Sequence, residues 1–491
     1  MCSFLFAEIF GIIMKTSMPF TNSFPHYGRH TSRWCVIILL AASVHMHAQE
    51  PAVATLPPVE SAPDDGKDSA DSKNSAQAAG DTVQNWNWHV QNTDIVQYHP
   101  NFPALYSGPN SLQNTADVKE SVSLDLTLGV RLWKGAEFYA DGLMYQGFGF
   151  NNAEGAAGFP NGDVSSNGTD RPEFALTRLF LRQTIGFGGE QEDVPDDQTH
   201  LAKKVDVSRI TLTIGKISAK DIFDNNAYAN DARTQFLNWS LMANGAWDFA
   251  QDALGYITGI TAELNQPRWT LRYGFLQVPR DVGGSVEDAH YFDAWQMVTE
   301  FERRYTLSGH PGVVRVLGYL TRADMGSYSE SLADTANPTN IMATQAFRFK
   351  YGFGLNMEQE IVKDVGAFMR LGWNDGHTQT WSFTDVDRTA SAGLSVKGSF
   401  WGRPDDTYGL AGAVNGLSSE HRDFIAAGGT GITIGDGRLN YGLESIMETY
   451  YDFQVCKNVH FALDYQFVNN PAYNKDRGPV PVFGARLHWE F

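Results

Sequence analysis

The chain closes on FGARLHWEF, residues 483–491. Phe483, Ala485, Leu487, Trp489 and Phe491 fall on one side of an extended backbone; Gly484, Arg486, His488 and Glu490 fall on the other. Successive side chains of a strand point to opposite faces, so this is a strand with one oily and one wet side. A sandwich strand over a soluble core can alternate in the same way, but a soluble terminus tends to fray rather than finish on an aromatic ring. The period recurs upstream. Leu124, Leu126, Leu128, Val130 and Leu132 alternate with Ser123, Asp125, Thr127, Gly129 and Arg131. Trp269, Leu271, Tyr273 and Phe275 alternate with Arg268, Thr270, Arg272 and Gly274. Phe347, Phe349, Tyr351, Phe353 and Leu355 alternate with Arg348, Lys350, Gly352, Gly354 and Asn356, and Phe461, Leu463, Tyr465 and Phe467 do so with His460, Ala462, Asp464 and Gln466. Charges on the second face are too frequent for a packed core and suit a water-filled lumen.

Composition narrows the class. The 491 residues are 13% aromatic and only 19% charged, with a net charge of −19 that argues against a nucleic-acid binder. A mean hydropathy of −0.30 and the lack of any apolar run near ~18 residues exclude a helical membrane protein. An alternating barrel passes both tests, because its strands never build a continuous apolar run. Periodicity predicts strands at 86–98, 122–132, 136–149, 174–186, 208–217, 256–264, 267–278, 295–307, 313–322, 346–358, 366–374, 390–398, 407–415, 438–452, 459–468 and 481–491. That is an even number, as a single-chain bacterial barrel requires. Connections alternate between long and short, which predicts an all-β transmembrane antiparallel barrel of sixteen strands with short periplasmic turns and long extracellular loops. The acidic stretch 187–207, containing EQEDVPDD, breaks the rule and reads as a solvated loop. Trp133, Trp269, Trp295, Trp373, Trp401 and Trp489 lie near strand ends, where interfacial belts belong.

Upstream of the barrel, WCVIILLAASV at 34–44 follows Arg29 and Arg33 and leads to a small residue at Ala48. This describes a secretory signal peptide over 1–48, with a start at Met14 or Met18 as an alternative to Met1. Cleavage there removes Cys2 and Cys35 and leaves Cys456, so no internal disulfide forms. Residues 49–84 are rich in Pro, Ala, Ser and Asp and read as a disordered acidic periplasmic segment. Residues 85–491 form the barrel domain.

Several stretches resemble the carbohydrate-selective porins of Gram-negative outer membranes, the OprB-type family. They are WNWHVQNTDIVQYHPNFPALYSGPNSL at 86–112, LGVRLWKGAEFYADGLMYQGFGFNNAEGAAGFPNGD at 128–163 and LTRLFLRQTIGFGG at 176–189. The most specific is GKISAKDIFDNNAYANDARTQFLNWSLMANGAWDFAQDALGY at 215–256, followed by RWTLRYGFLQVP at 268–279. The resemblance implies a sixteen-stranded barrel that passes monosaccharides and small sugars by passive diffusion across the outer membrane. The terminal Phe491 resembles the signature read by the barrel-assembly machinery. Expected partners are small carbohydrates and outer-membrane lipid; oligomeric state is open.

Sugar is neutral and polyhydroxylated, so a pore selects it with hydrogen-bond partners and flat apolar surface. Parity places Glu137, Tyr139 and Asp141 on one polar strand face and Arg178 and Arg182 on the next; Glu263, Arg268, Arg272, Glu300, Arg304, Arg315, Arg348 and Lys350 follow. Arginine offers five donors in a fixed fork, suited to vicinal hydroxyls; the same residues also suit ion pairs that merely stiffen the wall. The longest connection, 218–255, carries Asp221, Asp224, Arg233 and Trp239 and is read as an inward constriction, with an external lid as the alternative. The sequence has no HExxH, CxxC, GxSxG or P-loop, so no metal, cofactor or enzymatic activity is expected. A non-selective porin, a polysaccharide exporter and, more remotely, an outer-membrane lipase stand as alternatives.

Overall fold

The computed structural model describes residues 83–163 and 168–491; the expected signal peptide and all but the end of the acidic segment lie outside them. Strands in chain order are β1 (Trp86–His99), β2 (Asp117–Trp133), β3 (Ala136–Gly147), β4 (Thr169–Gly186), β5 (Gln191–Val194), β6 (Lys203–Asp206), β7 (Arg209–Ile217), β8 (Ile257–Gln266) and β9 (Trp269–Leu276). They continue as β10 (Trp295–Leu307), β11 (His310–Met325), β12 (Ala346–Val362), β13 (Val365–Asn374), β14 (Arg388–Lys397), β15 (Thr407–Gly416), β16 (Glu444–Cys456), β17 (Val459–Asn469) and β18 (Val480–Glu490). All except β5 and β6 form one closed antiparallel barrel in which each strand pairs with its sequence neighbours, β4 pairing directly with β7. Closure joins β1 to β18 from Gln91↔Glu490 to Tyr98↔Phe483, and the amide and carbonyl of Phe491 exchange 2.9 Å bonds with Val90.

Each barrel strand overlaps one predicted from periodicity. Leu126, Leu128, Val130, Phe349, Phe353 and Leu463 face outward and are exposed, whereas Ser123, Asp125, Thr127, Lys350 and Asp464 face inward and are buried. Five connections at one end are two-residue turns built for reversal. Gly135, Gly309, Asp364 and Asn458 adopt φ of 78°, 85°, 68° and 65° there, conformations that Gly, Asp and Asn tolerate best. The fifth holds Pro267 and Arg268. Arg268 is therefore an exposed turn residue, not a lumen residue, because the preceding strand runs two residues further than expected. The strand expected to start at 438 starts at Glu444; Leu439 and Tyr441 instead pack into an apolar cluster with Tyr473 and Leu417.

Aromatic rings gather at both ends of the wall. Trp269 stacks with Phe301 and Trp489 packs against Phe491 at the turn end, whereas Trp295 meets Phe275 and Phe349, and Trp373 meets Tyr351 and Phe353, at the loop end. These are the belts that place an amphipathic ring at each bilayer interface. Among the described residues no helix is long and apolar enough to cross a membrane.

The wall between the belts makes a direct prediction. Leu126→Arg, on the outer face of β2, should cost about 2–4 kcal/mol of folding free energy in lipid vesicles. Urea titration of the reconstituted protein measures this, and an unchanged midpoint would contradict lipid exposure.

Candidate functional site: the loop-filled lumen

Two long loops turn inward. The 218–256 connection runs past the inner faces of many strands, and inward-facing carboxylates capture its backbone. Glu448 accepts the amides of Leu237 at 2.5 Å and Asn238 at 2.8 Å. Four residues earlier on the same face of β16, Glu444 accepts Ala157 at 3.0 Å and Gly158 at 2.7 Å, which belong to the 148–168 connection. Asp248 receives three successive amides, Trp381, Ser382 and Phe383, from a third loop. These carboxylates do for a loop what secondary structure cannot: they satisfy backbone donors buried away from water.

Where the loops meet they build an apolar core inside the barrel. Trp239 stacks on Phe159 at 5.9 Å and meets Phe383 at 4.4 Å and Phe249 at 5.6 Å. Trp239 opens a short helix, α1 (Trp239–Met242), capped by Asn238, whose side chain accepts from Ser240. It is only 4% exposed, so it holds the loops together and does not line the passage. Asp224 is likewise an anchor. It accepts Arg370 Nε at 3.0 Å, Asn356 Nδ2 at 2.7 Å and the Asn244 amide at 2.9 Å, and pairs with Lys220 at 3.1 Å. Burial works to raise its carboxyl, but Arg370, Lys220 and these hydrogen bonds hold it at about 2. Tyr139 is a third departure from expectation: it is fully buried against Phe180, in the apolar cluster that also contains Leu201.

The remaining charges form two groups, in which Asp221 and the arginines keep some exposure while Asp125, Asp141 and Glu300 lie buried beneath them. Towards the loops, Arg178 spans Asp141 at 2.7 Å and Asp221 at 2.7 and 2.8 Å, with its guanidinium 5.0 Å from the centre of the Tyr256 ring. Arg233 spans Asp163 at 2.7 Å and Asp125. Arg178, Arg233, Asp125 and Asp141 all act electrostatically on Tyr256, which makes this one neighbourhood. Towards the turns, Arg272 bonds Glu263 at 3.0 Å, Glu300 at 2.8 Å and Glu302 at 3.0 Å, and Arg315 and Arg304 reach Glu302 at 2.9 and 3.1 Å. Arg182 lies over the rings of Tyr139 and Phe180 and donates to the Thr199 carbonyl at 2.5 Å. Glu137 is buried and pairs with Lys203 at 2.6 Å.

The structure thus brings Asp141, Arg178, Asp221 and Arg233 together, places Arg272 and Arg182 nearer the turns, and sends Trp239, Tyr139, Asp224 and Arg268 elsewhere. Sequence reasoning missed Asp125, Asp163 and Tyr256. Asp125 stood on a strand already assigned a polar face; Asp163 and Tyr256 sit at loop edges where period two gives no signal. Among the described residues no group of His, Cys, Asp and Glu could hold a metal ion.

A closed barrel with belted aromatics, an oily outside and a charged interior crossed by loops defines a porin. The family model described as "Carbohydrate-selective porin, OprB family" matches residues 109–491, and the chain belongs to that family. It is similar to Porin AaxA of Chlamydia trachomatis serovar D, 24% identical over 283 residues that cover 57% of this chain and 52% of the relative. The chain therefore spans about half the length of the curated relatives it matches. Among solved structures it resembles Pseudomonas putida OprB, with a TM-score of 0.62 and 16% identity over 83% of this chain and 94% of that one, a likeness of fold. Family and relatives are channels, not enzymes, and family and fold together imply the outer membrane, which makes the two-residue turns periplasmic.

Two predictions follow from the anchors. Asp224→Ala leaves the Arg370 guanidinium buried without its partner, which costs about 3–5 kcal/mol. Single-channel recordings should then show noisy, higher conductance from a loosened loop; a quiet trace at parental conductance would contradict the anchoring. At the outer end, Asp387 accepts His421 Nδ1 and the Ser418 amide, both at 2.9 Å. Burial works to raise its carboxyl from 3.8, but the His421 charge and hydrogen bond outweigh that and hold it at about 2. A depressed carboxyl stabilises above its ordinary value and gives this up as pH falls, so about 2 kcal/mol should be lost between about pH 4 and pH 2. Near-ultraviolet circular dichroism of Tyr328, stacked on His421 at 4.4 Å, reports the loss. Asp387→Asn should abolish that dependence.

Proposed function

We propose that the protein is a passive diffusion channel for monosaccharides and other small carbohydrates, narrowed by residues 148–163 and by the 218–256 loop. The observation that carries this reading is a pair of partly committed arginines, each held in place by two carboxylates, on the inner side of the barrel. Arg178 directs three N–H groups at Asp141 and Asp221, and Arg233 directs two at Asp163 and Asp125. A guanidinium has five donors. Each arginine therefore keeps donors for a passing hydroxyl, and the carboxylates hold both forks in place. The Tyr256 ring is largely buried beneath Arg178, and Asp221 is the acid of this group that stays exposed and accepts from sugar O–H groups. Neutral, polyhydroxylated solutes fit such a wall; contacts shared with carboxylates stay weak enough for release. On this reading Arg272 is a later contact towards the periplasm, Arg182 holds the Thr199 carbonyl, and Phe491 is the residue the assembly machinery reads.

A polysaccharide exporter would need an open bore, and two inward loops with an aromatic core between them argue against one. A non-selective porin would lack sugar block. The test is liposome swelling with glucose, a disaccharide and a sugar acid, joined to glucose block of single-channel current. Swelling should be fastest with glucose, and Arg178→Ala should weaken block by roughly tenfold, the equivalent of one lost charge-assisted hydrogen bond. Equal swelling for all three solutes would overturn the sugar reading; unchanged block would remove Arg178 from it.

A further inference from the structure

The β4–β7 connection is out of proportion to its task. Its neighbours at the same end reverse the chain in two residues, yet 187–208 forms a separate hairpin, β5 with β6, and then sends the segment between them back into the barrel. A solvated acidic loop was expected here. Instead, residues 196–203 are seated on the inner faces of β1, β3 and β4. Asn87 donates to Asp196 Oδ1 at 2.7 Å and to the carbonyls of Asp197 at 3.1 Å and His200 at 3.0 Å. Gln91 donates to Gln198 at 3.0 Å, Arg182 to the Thr199 carbonyl, and Lys203 to Glu137. Leu201 is fully buried, in the apolar cluster of Tyr139 and Phe180. Gln84, just before β1, pairs with Ala202 through both backbone and side chain.

The anchors are side chains whose strand parity points into the lumen, so the segment occupies part of the bore at its periplasmic mouth. Its seat is built from an apolar contact, an ion pair and backbone pairing together, which makes it a fixed part of the wall and not a swinging flap. We propose that residues 195–203 form a second narrowing of the channel, in series with the outer constriction and of different chemistry. Here the arginine is turned to the segment itself: Arg182 lies over the Tyr139 and Phe180 rings and donates to the Thr199 carbonyl. Exposed there are the side chains of Asp196 and Asp197, at 40% and 48%, with His89 held 3.2 Å from Asp196 and His200 3.0 Å from Asp197. The outer constriction offers donors to a sugar; this one offers acceptors and repels anions. The inference rests on the channel reading above, since it assigns the element that filters what the channel admits.

Two variants test it. Replacing 191–206 by a two-residue turn should raise single-channel conductance by roughly half or more and admit larger solutes. Asp196→Asn with Asp197→Asn keeps the segment and its seat; in a salt gradient it should raise the anion-to-cation permeability ratio roughly two- to threefold. If the shortened protein fails to fold, the reversal potential of the double variant decides alone. An unchanged reversal potential in the double variant overturns the proposal, as does parental conductance in a folded shortened protein. Glucose swelling by the parent is read separately, so failure of the sugar reading shows there and leaves the ion measurement intact.

Discussion

Hydrocarbon cannot hydrogen-bond, and every other feature of this protein stands on that constraint. A backbone in the bilayer must satisfy all its amides and carbonyls within the protein, and a sheet achieves this only by having no edge. Here the last edge is removed where β18 lies against β1 and Phe491 trades two hydrogen bonds with Val90. Closure forces the pleat to separate two media, so each strand must alternate. Closure also encloses a bore too wide to be filled by strand side chains alone, and the loops are drawn into that space.

Inside, the protein has to bury loop backbone without the help of regular structure. It does so with carboxylates. Glu444 and Glu448 on one strand, Asp224 and Asp248 within one loop, and Asp385 beneath Thr433 each collect amides or cations from segments distant in sequence. An acidic composition is thereby explained in part by architecture: many of the negative charges are fasteners, not a surface field. The arginines divide the same way. Arg370 is fully buried against Asp224 and the Leu241 carbonyl, while Arg178 and Arg233 keep some exposure and donors for the passage.

Much of the wall was legible because a membrane strand must announce its two faces residue by residue. Leu126 against Asp125 and Phe349 against Lys350 declare both the strand and its orientation. Parity, however, gives direction without cover. Tyr139 points inward as expected but lies against Phe180, in the cluster that holds Leu201, and Arg268 shows that a strand end misplaced by two residues turns a lumen residue into a turn residue. Loops offered less. The polar–aromatic mixture of 218–255 suggested an inward course, yet the same mixture gave no means of separating Trp239, which packs, from Asp221, which stays wet. The 148–168 loop, rich in Gly, Ala and Phe, carried no charge pattern to mark it. The EQEDVPDD stretch looked solvated because its seat depends on Asn87, Gln91 and Glu137, partners from other strands that local composition cannot reveal.

The aromatic core of the lumen has one further consequence. Trp239, Trp247, Phe159 and Phe383 are packed together by water, whereas the wall outside them is held by hydrogen bonds that lipid cannot replace. One molecule thus contains two cohesions with different enemies. A chaotrope strips the first long before it threatens the second, so mild denaturant should turn a narrow filter into an intact but unfurnished pipe.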